Sequence, residues 1–351
     1  MKIKYFISGI SLVFAVFFFS ACSDRAFEEV KEVTEVLPEN VNEVEVLLDF
    51  YEKSGNIINQ KKIPTLVKAG EVYQNLDHYH LIDIRKPDIY AQGHIKGAVN
   101  VNPASLINYM KNDITAAVYD KIVFIDNDGS KSSYVTMLFR LLGYGNVYAL
   151  KWGMSSIDKN VLERYWAKGV SSKYVAQLET KGHPKGKKTG TYPQIHTGKK
   201  IAYNILEARA RQIIEKPDFV ISADEVFQNP GKYYVINYWP MNHYILGHIP
   251  GAIQYTPKKS LTRDKYLSTL PVDKPIAVYC YTGHHAAFVV AYLRTLGYDA
   301  YSVGYGANGF MYSVLKNKGI GKYFDKAKFF EPRELVTGSK PEPEKSKAGT
   351  K

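Results

Sequence analysis

Cys280 lies in Val278-Tyr279-Cys280-Tyr281-Thr282-Gly283-His284-His285-Ala286, where an apolar strand runs into a Gly-containing turn and then an apolar helix. A thiol at such a junction becomes a nucleophile only on losing its proton. At an unperturbed pKa near ~8.5, about 3% is thiolate at pH 7. Backbone N–H groups converging from the turn and the helix start would lower that pKa by ~2 units, which stabilises the thiolate by about 3 kcal/mol. The same donors would receive an anionic persulfide or the oxygens of a bound oxyanion. Gly283 permits the tight curl this needs. His284 and His285 either line the resulting pocket or face solvent as loop residues.

The second cysteine, Cys22, ends a different pattern. Lys2 and Lys4 precede an apolar run from Tyr5 to Phe19, followed by Phe19-Ser20-Ala21-Cys22. A basic end, an apolar core and small residues before a cut read as export. The element is similar to a bacterial lipobox, which implies lipidation of Cys22, removal of residues 1–21 and attachment to a membrane. The competing reading is an uncleaved anchor helix, for which the apolar run is short. Either reading places the folded part outside the cytoplasm, facing the periplasm or on the outer-membrane surface. With Cys22 modified, Cys280 has no partner for an internal disulfide and is a reactive thiol or a buried bystander.

Charge divides the chain beyond Cys22. Residues 23–55 hold ten acids and three bases, whereas the whole chain carries a formal +12. We expect residues 22–60 to form an acidic membrane-proximal stalk, interrupted at Pro38. Residues 181–200 hold six lysines and no acid, with glycines and two prolines. They read as part of a basic linker and helix over 176–215. Residues 331–351, rich in Pro, Lys, Glu, Gly and Ser, read as a disordered charged tail. No zinc-finger spacing or helix-turn-helix signal accompanies the basic excess, so nucleic acid is not an expected partner. Small anions fit it better.

Between these segments the chain repeats itself. Asp83-Ile84-Arg85 returns as Asn237-Tyr238-Trp239, and Gly93-His94-Ile95-Lys96-Gly97-Ala98 as Gly247-His248-Ile249-Pro250-Gly251-Ala252. Gly129 returns as Gly283 and Leu142-Gly143-Tyr144 as Leu296-Gly297-Tyr298, all at an offset of 154 residues. Coincidences at one fixed distance indicate internal duplication. In the first copy, 61–175, we expect strands over Tyr79–Ile84 and Lys121–Ile125 and a buried helix over Ser132–Leu142. In the second, 216–330, we expect strands over Tyr233–Ile236 and Pro275–Tyr279 and a helix over Ala286–Leu296. Short apolar strands alternating with helices imply an α/β fold.

These paired copies resemble tandem rhodanese domains, through the Gly-His-Ile-x-Gly-Ala turns and the later strand–Cys-x-x-Gly–helix unit. The resemblance spans about 65–325. It implies two rhodanese-like domains, each a mainly parallel sheet flanked by helices, with the cysteine at the base of a six-residue cradle. Tyr281, Thr282, Gly283, His284, His285 and Ala286 then form the substrate-binding loop, with Trp239 and His248 as residues of the pocket rim. At the repeat offset Cys280 corresponds to Asp126, which cannot hold a transferable sulfur, so the first domain is degenerate. Loops of this family often carry arginine or lysine to hold an anionic donor, and a common pattern has arginine at the position of His285. Trp239 and Asn237 also replace the Arg85 and Asp83 that, by resemblance, brace the first cradle. His94 and His248 occupy matched turns and read first as structural.

The resemblance implies a sulfurtransferase or persulfide carrier. Cys280 would take sulfane sulfur from thiosulfate, polysulfide or another small anionic donor and pass it to a thiol, cyanide or protein acceptor, with no metal or organic cofactor. A cysteine phosphatase would require arginine six residues after the nucleophile, where Ala286 stands. An arsenate-type reductase would require further redox thiols. The non-enzymatic alternative is a binding or assembly lipoprotein associated with exported redox proteins. The chain has no Cys-x-x-Cys-His motif and would not itself hold c-type haem.

Overall fold

A computed structural model describes residues 42–215, 218–320 and 322–338. The apolar runs around Leu81 and Val123 are covered on both faces, as strands of a parallel sheet must be when helices flank it. In the first domain, β1 (Leu66–Val67), β2 (Tyr79–Asp83), β3 (Val99–Asn100), β4 (Lys121–Ile125) and β5 (Val147–Leu150) pair in the order β1-β5-β4-β2-β3, every pair parallel. In the second, β6 (Val220–Ile221), β7 (Tyr234–Asn237), β8 (Ile253–Gln254), β9 (Ile276–Tyr279) and β10 (Ala300–Val303) repeat that order and sense. The register repeats as well. Ile82 sits beside Phe124 and Val99, and Ile236, 154 residues on, beside Val278 and Ile253. The α/β architecture of two such domains is therefore as the sequence implies.

Four helices exceed ten residues among those described: α1 (Glu43–Lys53), α2 (Ser130–Leu141), α3 (Ala202–Ile214) and α4 (His284–Thr295). The two repeat helices start two residues earlier than expected, directly after Gly129 and Gly283. Both glycines adopt left-handed backbone, with φ of 90° and 85°. This tight entry brings the first helical amides up to residues 126 and 280. Helices α2 and α4 pack on each other across the domain boundary, joined by α3 and α1. That burial on several sides explains why α4 is apolar from Ala286 to Val290.

The acidic segment is not a stalk where it is described. Asn42 caps α1 by accepting from the Val44 amide, and Val44, Leu47, Leu48, Phe50 and Tyr51 enter the core. Acid-rich composition hid this amphipathic spacing. The Tyr51 hydroxyl meets Thr295 Oγ1 at 2.7 Å. The outward acids are used too, since Arg263 of the second domain pairs with Glu45 at 3.0 Å, Glu52 at 2.6 Å and Asp49. Arg263→Ala is expected to lower stability by about 1–2 kcal/mol, an effect small for three carboxylates because all are partly hydrated. Urea titrations at low and high salt check this, and the loss should shrink at high salt.

The tail also begins docked. Glu331 N donates to Ser156 O at 2.7 Å, and Val336 forms an antiparallel bridge with His94 in the first domain. Residues 171–179 likewise lie along the second domain, through Ser171 N to Asn308 O at 2.8 Å and a bridge between Glu179 and His248. Among the described residues no helix is long and apolar enough to cross a membrane. The expected leader, Cys22 and the end of the tail from 339 lie outside the described residues.

Candidate active site

Strand β9 ends at Tyr279, and Cys280 opens the turn into α4. The Ala286 amide donates to Cys280 Sγ at 3.4 Å, and the amides of Thr282, Gly283 and His285 act on the sulfur from the same loop. A second loop holds this turn from below: Ala307 N donates to Cys280 O at 2.9 Å and Asn308 Nδ2 to Tyr281 O at 2.7 Å. The residues at 305 and 306, Tyr and Gly, both have left-handed backbone, which folds this second loop tightly under the cradle.

The first domain builds the same device around a different group. The Gly129 amide donates to Asp126 Oδ1 at 2.8 Å, the Lys131 amide to Oδ2 at 2.7 Å, and Ser132 Oγ to Oδ1 at 2.9 Å. Met154 N donates to Asp126 O at 2.8 Å, matching Ala307 and Cys280. The carboxyl thus occupies its own cradle. Burial, followed by the neighbouring Asp128, pushes Asp126 up to about 7.

The expected activation of the thiol is reversed. Cys280 is 3% exposed, and burial raises its pKa above the ordinary thiol range despite the four amides. Tyr281, the next residue of the loop, is close enough for charge on Cys280 to act on it. Trp239 is fully buried and stacks on Tyr281 with ring centroids 4.6 Å apart, and the Tyr281 hydroxyl bonds His243 Nδ1. Tyr238 is also close enough for charge on Cys280 to act on it. A thiol so placed stays protonated at neutral pH. Alkylation of Cys280 by iodoacetamide is expected to keep accelerating as pH rises through 9, which a pH–rate profile measures; a plateau near pH 7 would show the opposite shift.

The two histidines part company. His284 neither faces solvent nor lines the cradle, because it opens α4 on the side facing the first domain. Its Nε2 lies 3.1 Å from Asp128 O and 3.4 Å from Trp152 N, and Nδ1 lies 2.8 Å from Thr282 Oγ1. The shorter contact makes Nε2 the donor to Asp128 O, so Thr282 donates to Nδ1. The ring stacks on Trp166 at 5.9 Å and meets Trp152 edge-on at 5.0 Å. Burial pushes its pKa down to about 3. His285 is half-buried and meets Tyr238 edge-on at 4.9 Å, and its Nε2 has no hydrogen-bond partner. Burial, then Lys258 and Lys322, push His285 down to about 3 as well. It is therefore a neutral ring and no substitute for a cationic clamp. Neither lysine lies in the repeat motifs, so no sequence signal marks them.

Trp239 and His248 do not form an open rim. Trp239 is fully buried at the repeat position of Arg85, whose guanidinium grips Asp83 at 2.6 Å and Gly93 O at 2.7 Å. In the second domain Asn237 Nδ2 instead donates to the Tyr279 hydroxyl at 2.8 Å. His248 is buried on the face of Tyr244, with its Nδ1 2.9 Å from Tyr244 O. A cavity of about 380 Å³ opens elsewhere, between Phe227, Tyr233, Ile249, Gly251 and Lys274, and the cradle does not line it.

Two stretches of the chain, 68–160 and 225–312, match the family described as the rhodanese-like domain. Similar solved structures include a 3-mercaptopyruvate sulfurtransferase from Leishmania major, 16% identical, matched over 74% of this chain and 80% of that one with a TM-score of 0.28. A thiosulfate sulfurtransferase from Pseudomonas aeruginosa is 16% identical over 80% of this chain and 69% of that one, with a TM-score of 0.25. A rhodanese-related protein from Thermoplasma volcanium is 21% identical over 28% of this chain and 92% of that one, with a TM-score of 0.24. No curated protein matches the chain.

Proposed function

Since the chain belongs to the rhodanese-like domain family, with two copies of the domain in tandem, we propose that it carries sulfane sulfur on Cys280 and hands it to a thiol or protein acceptor, rather than turning over thiosulfate efficiently. The observation that supports this reading is the convergence of four loop amides on one sulfur. The twin cradle supports it further, because the same backbone arrangement receives both oxygens of Asp126. A persulfide places its anionic outer sulfur where such donors stabilise it.

The step balances without a cofactor. The Cys280 thiol loses its proton to solvent or to the donor, and its sulfur attacks the terminal sulfane sulfur of a polysulfide. One S–S bond forms, another breaks, and the shortened polysulfide leaves as an anion. An acceptor thiolate then attacks the outer sulfur, forming its own persulfide and returning Cys280 as thiolate. Thiosulfate is the weaker donor in this scheme. Its sulfonate needs cationic support, and His285, where a cation would be expected, is neutral. The first domain supports the second through the α2–α4 contact. Lipidation of Cys22 would hold this carrier at a membrane outside the cytoplasm.

A second reading is a binding or assembly protein without sulfur chemistry, near exported redox proteins. The burial of Cys280 favours it. Cyanolysis separates the two. Protein treated with polysulfide and desalted should release about one thiocyanate per chain, and the Cys280→Ser variant none. Equal release from both would exclude Cys280 as the carrier, and no release from either would favour the binding protein.

A further inference from the structure

The antiparallel bridge between residues 179 and 248 brings three side chains together that the cradle does not use. Glu179 and His248 exchange both backbone hydrogen bonds at 2.9 Å, which sets Glu179 and His183, four residues on, against the His248 ring. That ring is fixed. It lies on Tyr244 with centroids 3.8 Å apart, and its Nδ1 must donate to the Tyr244 carbonyl at 2.9 Å, since a carbonyl only accepts. The lone pair of the neutral ring is therefore on Nε2. His248 is 0% exposed and this nitrogen has no hydrogen-bond partner. It faces Glu179 Oε2 at 4.0 Å, an arrangement of two acceptors with no proton between them.

We propose that Glu179, His183 and His248 bind a zinc ion, which ties the interdomain segment to the second domain and leaves coordination positions open. His183 Nε2 lies 2.7 Å from Glu179 Oε2, and the ligand atoms of all three residues lie within 4.8 Å of one another. Bond lengths of ~2.0–2.1 Å about a tetrahedral ion put ligand atoms roughly 3.3 Å apart, between the 2.7 and 4.0 Å found here. Small rotations of His183 and Glu179, both partly exposed, close the difference. Two imidazoles and one carboxylate suit zinc, whereas magnesium and calcium favour all-oxygen sets. The outer contacts fit as well: Tyr244 O orients His248, and the Gly251 amide donates to Glu179 Oε2 at 2.8 Å.

The first domain provides an internal control. There His94 makes the same ring-on-tyrosine contact, with Tyr90, and the same bridge, with Val336 in place of Glu179. The bridge thus forms without an acid or a second histidine.

Untagged full-length protein, stripped with chelator and titrated with zinc against a chromophoric competitor, should bind one zinc per chain. Cys280→Ser should bind identically. Glu179→Gln and His183→Ala, both at partly exposed positions, should each weaken binding at least tenfold while thermal unfolding without zinc stays close to that of the parent. Cobalt substitution should give ligand-field bands without a thiolate charge-transfer band. Loss of binding in Cys280→Ser, a thiolate band with cobalt, unchanged affinity in both Glu179→Gln and His183→Ala, or no stoichiometric zinc in the parent would each overturn the proposal.

Discussion

Replacing Gly306 by alanine is expected to abolish sulfur loading of Cys280 and to cost about 2–4 kcal/mol of stability, the sum of left-handed backbone strain and overpacking. Gly306 has φ of 54°, and a Cβ there would collide with Cys280 O and lie 2.8 Å from the Thr282 and Gly283 amides. The only relief is to move the cradle, which scatters the donors that a persulfide needs. Gly153→Ala is the matched control. Its Cβ would lie 2.5 Å from Asp126 O and 2.7 Å from the Asp128 amide, so it strains the first cradle in the same way. It should destabilise comparably and leave Cys280 loading intact. Denaturant unfolding and sulfur stoichiometry read the two effects separately; normal loading in Gly306→Ala would show that the cradle geometry is not what retains the sulfur.

The second large effect is expected at His284, as a link between the domains. His284→Ala removes the donor to Asp128 O and leaves a hole against Trp152 and Trp166, at a cost of about 2–4 kcal/mol. Gly129 is the partner position, because a Cβ there would run into the His284 ring. Gly129→Ala should therefore be less costly in the His284→Ala background than alone, a coupling a double-mutant cycle detects. Acid tests the same contact. The folded chain keeps His284 neutral to about 3, whereas the unfolded chain protonates it near ~6.5. The unfolded state then binds more protons across that window, so stability falls as pH drops from ~6.5 towards 3. His284→Ala should show a shallower decline; equal slopes would mean that the ring is not held neutral by the interface.

The strands, the duplication and the place of Cys280 were legible because they rest on local signals. Apolar runs bounded by glycines give parallel strands, and a fixed offset of 154 residues carries one domain onto the next. What the sequence concealed depends on contacts between distant segments. The phase of α4 turns His284 away from the cradle, and that follows from the packing of α2 on α4 rather than from the loop motif. The thiol is raised rather than lowered because it is buried, which depends on how distant segments pack around the cradle rather than on the loop motif. Helix α1 was hidden by its acids, although Val44, Leu47, Leu48 and Tyr51 already had helical spacing. Gly306 was within reach: Trp152-Gly153 and Tyr305-Gly306 repeat at 153 residues, one short of the offset that relates the other motifs.

The most direct measurement of the central claim is intact-mass analysis of the chain without residues 1–22 after brief exposure to polysulfide and, separately, to thiosulfate. The account predicts a reducible gain of one sulfur atom with polysulfide, localised to Cys280 and absent in Cys280→Ser, and much slower loading with thiosulfate. No adduct from either donor, or an adduct that survives in Cys280→Ser, would contradict it.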